Sequence, residues 1–357
     1  MSSMTKSTYQ DFVHRHFAFL FISACLLSAV ALSHLFGSIM VQRVVTEAMI
    51  RIVIVVGIYI FTGNSGIISF GSVTFMAIAA YATGWQTCCE ILKPITMSGL
   101  PPILRDHSYP VYVSAATSVG LAALVAFITG LILMRLGGLA ASISTLAILF
   151  ILNVGYSNWE TVTMGTASMV GLPTYITPWI ALAAALVAIL FAWLFQNSAR
   201  GVLLRASRAD EVAAAACGVS LYWSRLIAFT LSGAVMGLAG VLSAHFLGTV
   251  SINSYFLKLT FLALAMLVVG GMKSLSGAVV GVVVVSTIVD VFRRLEAGVS
   301  LGEATVSLPA GTQELVLAGV MIIILMFRKD GLMGGKEFRL PRDSAMTAGH
   351  SLNKEED

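Results

Sequence analysis

The sequence predicts an all-α, polytopic membrane protein with about ten transmembrane helices. Of its 357 residues, 58% are hydrophobic and 11% are charged, and its mean hydropathy is +0.92, whereas soluble globular domains contain roughly 25% charged residues. The apolar residues fall in blocks of about 20, the length that a helix needs to cross roughly 30 Å of hydrocarbon. A membrane β-barrel is excluded because its strands would be about half as long and would alternate polar with apolar residues.

The predicted spans are ten apolar windows separated by polar segments. In chain order they cover 17–36, 44–61, 67–86, 111–134, 138–156, 177–196, 225–247, 256–271, 277–292 and 312–327. The first window follows the polar segment 1–16, an order that a signal peptide also shows. We interpret it as a retained span, because its apolar run is longer than the roughly 7 to 15 residues of a signal-peptide core and no small-x-small cleavage site precedes Arg43.

The distribution of basic residues predicts the orientation. With an even number of spans both termini share a side, and if that side is the cytoplasm, two thirds of the 21 Lys and Arg residues lie inside. We therefore expect a cytoplasmic N-terminal segment at 1–16, a transmembrane domain at 17–327 with a cytoplasmic loop at 197–224, and a solvated, mobile tail at 328–357. No loop is long enough for a soluble domain such as an ATPase.

A first cluster of polar and glycine residues opens the third window, in the sequence GNSGIISFGS. Small residues let helices approach closely, and an interrupted helix exposes backbone groups that protein, water or a solute must satisfy. Tight packing and a broken helix that lines a solute path therefore both fit this stretch. The candidate pathway residues are Asn64, Ser65, Gly66, Ser69, Gly71 and Ser72.

A second cluster lies in the predicted cytoplasmic loop, from Arg200 to Val219. Ser207 is placed to cap a short helix that begins at Asp210 and Glu211, and Gly218 is a natural C-cap. An Ala-rich helix flanked by arginines fits either a docking element or a connector that rests on anionic lipid headgroups. We favour docking, because the helix has too little apolar bulk to anchor in a membrane.

A third cluster, 160–173, follows the fifth span on the predicted outer side and contains Thr163 and Gly165. Its Thr and Gly residues indicate an ordered turn near the entrance of a path, although an ordinary surface loop has a similar composition.

Charges and catalytic motifs are sparse inside the spans. Glu47 can pair with Arg51, and Asp290 with Arg294, four residues apart on one helix face. The sequence contains no HExxH motif, nucleophile elbow or P-loop, which argues against an enzyme. The cysteines, including the adjacent Cys88 and Cys89 whose redox state the sequence leaves open, form no metal-binding pattern.

These motifs together resemble the LivM-type permeases of bacterial ABC importers for branched-chain amino acids, over residues 44–335. The family signature of the first cluster is matched by Gly63, Gly66, Ser69, Gly71, Phe75, Ala80 and Tyr81. The segment Arg205–Gly218 is similar to the family's cytoplasmic coupling loop, and GGMKSLSGAVVG (270–281) and RKDGLMG (328–334) also match. Two positions depart: the family usually has His at Ser72 and a Thr-Gly-Gly turn at Thr163-Met164-Gly165.

The resemblance implies an ABC importer permease bundle in the bacterial inner membrane that moves branched-chain or related amino acids. The implied partners are a second, LivH-type permease, two ATP-binding cassette subunits that use ATP, and a periplasmic amino-acid-binding protein. We expect no cofactor or metal in this chain and no nucleic-acid partner. The residues expected to couple it to the ATPases are Arg205, Asp210, Glu211, Ala213, Ala214 and Gly218.

Three alternatives stay open from the sequence. A urea or simple-sugar ABC permease shares much of this pattern, so the exact substrate is undetermined. An ion-coupled secondary carrier would need a carboxylate near the membrane midplane. A membrane enzyme or scaffold is the third alternative.

Overall fold

The computed structural model describes residues 2–88, 93–208, 210–218, 220–296, 299–301, 304–306, 309, 311–328, 330–335 and 337. Helices dominate this part of the chain. In order they are α1 (Ser2–Phe36), α2 (Ile39–Ser65), α3 (Ser72–Thr87), α4 (Lys93–Thr96), α5 (Pro102–Arg105), α6 (Val111–Leu133), α7 (Gly138–Asn158), α8 (Glu160–Thr163), α9 (Pro178–Asn197), α10 (Ala199–Ser207), α11 (Glu211–Ala216), α12 (Leu221–Leu247), α13 (Leu257–Gly270), α14 (Leu275–Glu296) and α15 (Thr312–Phe327).

Two short antiparallel pairs and one 3₁₀ turn complete the described structure. The strands are β1 (Met169–Val170), β2 (Thr249–Val250), β3 (Val299–Leu301) and β4 (Ala304–Val306), and the 3₁₀ turn covers Ile252–Tyr255. β1 pairs with β2, and β3 pairs with β4.

Each of the ten predicted spans coincides with a helix, which confirms the all-α polytopic class. In the described residues, eight helical segments are long and apolar enough to cross a membrane. The two others, α3 and α15, have 16 residues each, which is about 24 Å of helix against roughly 30 Å of hydrocarbon. The third window was predicted to start at residue 67, but its helix begins only at Ser72, because residues 66–71 form a non-helical connection.

Helix α12 lies at the centre of the bundle. α12 packs against α2, α3 and α6, and every residue in 49–65 of α2 and 72–84 of α3 is buried. Gly233 and Gly237 of α12 face Ala126 and Ala122 of α6 so closely that an added Cβ would collide. Small residues therefore set the close approach of these helices, as is usual in membranes where helix association relies on packing.

The outer helices turn large apolar side chains outward. Leu139 and Ile151 of α7 and Ile132 of α6 are 82%, 70% and 70% exposed. Such residues cover the face that a helix presents to lipid.

The two ends of the bundle correspond to the two sides of the membrane in the predicted topology. At one end, the Arg208 side chain reaches the Gly63 carbonyl. At the other end, the Trp85 indole donates to the Val162 carbonyl and the Leu172 amide donates to the Gly248 carbonyl. We name these the α10 end and the β1 end; that the α10 end faces the cytoplasm stays a prediction.

The C-terminal segment is wrongly predicted as mobile where the structure describes it. The Leu332 amide donates to the Val269 carbonyl at 2.9 Å, and Glu337 accepts from the Leu275 amide at 2.7 Å at the start of α14. Lys273 donates to Asp330 at 2.5 Å, and this hydrogen bond lowers the pKa of the Asp330 carboxyl. The motif 328–334 therefore packs on the motif 270–281 instead of extending into solvent.

One of the two predicted ion pairs is also wrong. Glu47 and Arg51 pair as expected, but Asp290 pairs with Arg293 at 2.8 Å and with Arg51 at 3.7 Å, and Arg294 forms neither contact. The sequence spacing could not reveal this, because α2 brings Arg51 to Asp290 only when the two helices pack.

Candidate functional site

The break between α2 and α3 lies at the α10 end of the most buried part of the bundle. α2 ends at Ser65, and Gly66 adopts the left-handed conformation with φ of 77° and donates its amide to the Thr62 carbonyl. Asn64 is fully buried; its amide nitrogen donates to the Ile60 carbonyl at 2.9 Å, and its side-chain oxygen accepts no hydrogen bond from the described residues. This oxygen is therefore an available acceptor beside the break.

Hydroxyl groups satisfy the backbone that the break exposes. The Ser69 amide donates to Thr62 Oγ1 at 3.3 Å, and the Phe70 amide donates to Thr145 Oγ1 of α7 at 3.2 Å. Ser72 donates to Ser69 Oγ at 2.9 Å. The high Ser and Thr content of this stretch thus has a structural reason, because a break inside a membrane needs such partners.

Gly71 lies directly against α7. A Cβ at this position would collide with the Thr145 backbone carbonyl. A glycine is therefore required here for close approach, and both packing and path lining remain compatible with the local geometry.

Arg208 joins this break to the second cluster. Its Nη1 atom donates to the Gly63 carbonyl at 2.8 Å, and a Cβ on Gly66 would come within 2.8 Å of the Arg208 Cγ atom. Carbonyl groups at a helix C-terminus carry partial negative charge, so a guanidinium stabilises this end of α2. The two clusters that the sequence suggested separately are in direct contact.

Arg205 makes a second connection from α10 to the bundle. Its Nη2 atom donates to the Gln196 carbonyl at 2.6 Å, and the Gln196 side chain accepts from the Tyr59 hydroxyl of α2 at 2.8 Å. α10 is therefore tied to the ends of both α9 and α2.

The short helix α11 begins later than predicted. Ser207 is the last residue of α10 and its hydroxyl donates to the Leu204 carbonyl, so it does not cap α11. Asp210 is the N-cap, and its carboxylate accepts from the amides of Val212 and Ala213 at 2.8 and 3.0 Å. Gly218 has φ of 80° just after the helix, as expected of a C-terminal glycine.

α11 projects from the bundle, and among the described residues one side chain of this helix forms an ion pair with the bundle. None of its residues is buried, Ala213 is exposed and Ala214 is half-buried. Glu211 forms an ion pair with Arg225 of α12, whose side chain is only 7% exposed. The result is an open, mostly alanine surface held to a central helix by one acidic side chain.

The third cluster is at the β1 end, away from the break. Thr163 is buried, its hydroxyl donates to the Tyr156 carbonyl at 2.6 Å, and Gly165 has φ of 62°. The adjacent Val162 carbonyl accepts from Trp85, which lies near the opposite end of α3 from Ser72. The structure therefore divides the eight predicted pathway residues between the two ends of α3, and the turn predicted around Gly165 is ordered.

Sequence reasoning assigned no role to Arg208 or Tyr59. Their contacts join residues 145 and 137 positions apart, and no local signal marks such a pairing. Among the described residues, no group of three His, Cys, Asp or Glu side chains is placed to hold a metal ion. The Cys88 thiol donates to the Val170 carbonyl at 3.5 Å, and Cys89 lies outside the described residues.

The chain is similar in sequence to known membrane permeases. Residues 40–325 match the family model described as the permease component of the branched-chain amino acid transport system. Two curated proteins, from Salmonella typhimurium and Escherichia coli, are each named high-affinity branched-chain amino acid transport system permease protein LivM. They are 26% and 27% identical to this chain over 344 residues, which cover 88% of this chain and 74% of each relative.

Proposed function

The chain belongs to the family of permease components of branched-chain amino acid transport systems, and from that premise we propose that it imports branched-chain or related amino acids with ATP hydrolysed by partner subunits. It is a multi-pass membrane permease and not a member of an enzyme family. The proposed assembly contains a second permease of LivH type, two ATP-binding cassette subunits and a periplasmic binding protein. The proposed location is the bacterial inner membrane, with both termini and the α10 end in the cytoplasm.

The contact of Arg208 with Gly63 and Gly66 is the observation that carries this proposal. An ATP-driven permease needs a surface that ATPases can move and a connection from that surface to the solute path. α11 supplies an exposed surface, and α10 connects it to the end of α2 through Arg208 and to the end of α9 through Arg205. Movement of α10–α11 would therefore pull directly on the break between α2 and α3.

The break offers groups that suit an amino acid. α3 starts inside the bundle at Ser72, so the positive end of its dipole points toward the connection 66–71 and favours a carboxylate. The unpaired side-chain oxygen of Asn64 is an acceptor for an ammonium group. Solute would pass from the turn around Thr163 and Gly165 at the β1 end toward this break as the bundle alternates between outward and inward access.

The charges in the membrane favour ATP over an ion gradient as the energy source. Glu47 of α2 and Asp290 of α14 are both paired with arginines, and Glu296, the last residue of α14, accepts a hydrogen bond from the Gln313 amide. A carboxylate that carries protons or sodium across a membrane must change partners during transport. Neither Glu47 nor Asp290 is free to do so without breaking a network of four charges.

Reconstitution in vesicles tests the proposal. The permease pair, the ATPases and the binding protein are incorporated in proteoliposomes, and uptake of radiolabelled leucine is measured with ATP inside, with a non-hydrolysable analogue inside, and with a proton or sodium gradient alone. We expect uptake only with ATP and the binding protein. Uptake driven by a gradient without ATP contradicts the proposal and supports a secondary carrier.

A panel of competitors identifies the substrate class in the same vesicles. Unlabelled leucine, isoleucine and valine are expected to suppress the signal, whereas urea and ribose are not. Suppression by urea or ribose alone assigns the chain to the corresponding ABC permease instead.

A further inference from the structure

A groove on the side of the bundle is not used by the proposed transport path. It lies between α1, α2 and α14 and has a volume of about 590 Å³. On α2 it is lined by Val44, Val45, Ala48 and Met49, and so lies far along this helix from the break that begins after Ser65. Its walls are almost entirely apolar, with Phe21 and Leu26 on one side and a row of valines of α14 on the other.

Four charges close the β1 end of this groove and neutralise one another. Glu47 pairs with Arg51 and with Arg293, the latter at 3.2 Å, and Asp290 pairs with Arg51 and Arg293. Asp290 lines the groove, so without these partners its carboxylate would repel an anion there. The two arginines remove that repulsion.

Two further arginines leave this end with excess positive charge. Arg294 lines the groove, and Arg43 lies one residue before Val44, which also lines it. Both are exposed, and neither forms an ion pair with any carboxylate that the structure describes. Arg51, Arg293 and Arg294, three of the basic residues predicted on the outer side, therefore lie at this end of the groove, although basic residues are disfavoured on that side.

The combination of a long apolar groove and a cationic rim matches one class of ligand. A molecule that fits must have an extended apolar body and an anionic group at one end, as an anionic phospholipid has. We propose that this groove binds an anionic phospholipid, with an acyl chain along α14 between α1 and α2 and with the phosphate at Arg294.

Photolabelling tests this site without reference to transport. The full-length chain, purified with the subunits that accompany it, is placed in vesicles of phosphatidylethanolamine that contain a trace of phosphatidylglycerol with a diazirine on its acyl chain. After illumination, mass spectrometry of peptides locates the adducts. We expect them on 279–291 of α14 and on the facing part of α1, and we expect a phosphatidylcholine probe with the same chain to give much weaker labelling there.

Two substitutions test the charge and the groove separately. Arg294→Gln is expected to reduce phosphatidylglycerol labelling about fivefold, the effect of one basic residue near a lipid phosphate, whereas Arg105→Gln, at a partly exposed arginine outside the groove, is expected to leave it unchanged. Val283→Trp fills the groove and is expected to abolish labelling, whereas Ile151→Trp on the outward face of α7 is not. Size-exclusion profiles of the variants check that they remain folded.

Two outcomes overturn the proposal. Equal labelling of 279–291 by both probes that Arg294→Gln does not change would mean ordinary contact with bulk lipid. Absence of lipid adducts, together with efficient cross-linking of a Thr287→Cys variant to another polypeptide, would assign the groove to a protein partner.

Discussion

Arg208 connects the end of α10 to the end of α2. Its guanidinium is directed to the end of a buried helix, where the Gly63 carbonyl accepts its hydrogen bond, and its aliphatic part covers Gly66. The side chain belongs to the end of α10, so it moves with the segment that carries α11. The hydrogen bond of Arg208 to Gly63 can therefore transmit a movement of α10 to α2.

We predict that Arg208→Ala separates ATP hydrolysis from uptake. The substitution removes a charge-assisted hydrogen bond, worth roughly 1.5–3 kcal/mol, from the contact between α10 and α2. Uptake in the reconstituted system should fall by about tenfold or more, while binding-protein-stimulated ATP hydrolysis continues because α11 is untouched. Arg208→Lys keeps a donor for the Gly63 carbonyl and should recover part of the uptake.

The matched control is Arg200→Ala. Arg200 lies in the same helix and is exposed, so its loss removes a positive charge from α10 without touching α2. Equal losses of uptake in the two variants would mean that the charge of α10, and not the contact with α2, matters.

Gly66 provides a second prediction at the level of single residues. Gly66→Ala introduces a side chain at φ of 77°, where L-residues lose about 1–2 kcal/mol, and pushes the Arg208 stem outward. We expect lower thermal stability of the purified chain together with lower uptake. Gly155→Ala in α7 is the control, since nothing lies within 4 Å of its added Cβ, and it should leave both measurements unchanged or raise stability slightly.

At the level of elements, the apolar windows predicted ten helices correctly, because each helix contains a continuous apolar stretch bounded by polar residues. It misplaced the start of α3 because residues 67–70, Ile-Ile-Ser-Phe, are as apolar as a helix turn, and only the packing of Gly71 on α7 decides where the helix begins. The Ser207 cap was wrong for a related reason. Ser and Asp are both good N-caps, and the continuation of α10 to Ser207 left Asp210 as the available cap.

We predict that the exposed helix α11 depends on the ion pair of Glu211 with Arg225 for its position. Glu211→Lys replaces the ion-pair partner of the buried Arg225 with a like charge, so α11 should detach from α12, and its surface should also change sign. We expect the chain to insert and assemble normally but to lose most ATP-driven uptake. Co-purification of the ATPases and uptake of leucine are the two measurements.

Asp106→Lys is the control for the charge change, because Asp106 is an exposed residue at the β1 end that pairs with Arg105 outside the proposed path. It should retain uptake. Full uptake in Glu211→Lys would remove α11 from the proposed coupling surface.

Considered as a whole, the molecule places α3 between two specialised ends. The break and α10 lie at one end, and the turn of Thr163 packs near Trp85 at the other. Sequence reasoning already assigned Thr163 and Gly165 to the outer side, near the entrance of a path, and the structure places them near the end of α3 opposite the break. The described part of the tail was misjudged, because its anchoring depends on Glu337 reaching the start of α14 about 60 residues away in sequence.

The orientation of the whole molecule is the last prediction. Two thirds of the 21 Lys and Arg residues belong to segments assigned to the side of the α10 end, so this end should face the cytoplasm. The native Cys217 is exposed at the end of α11, and His107 is exposed in the segment that joins the β1 ends of α3 and α6. With the other cysteines replaced by serine, an impermeant thiol reagent applied to intact spheroplasts should label a His107→Cys variant lacking Cys217 but should label Cys217 only after permeabilisation. The reverse pattern would invert the bundle, and it would place the basic groove at Arg294 on the cytoplasmic side, where anionic lipid headgroups give the inner leaflet its negative surface potential.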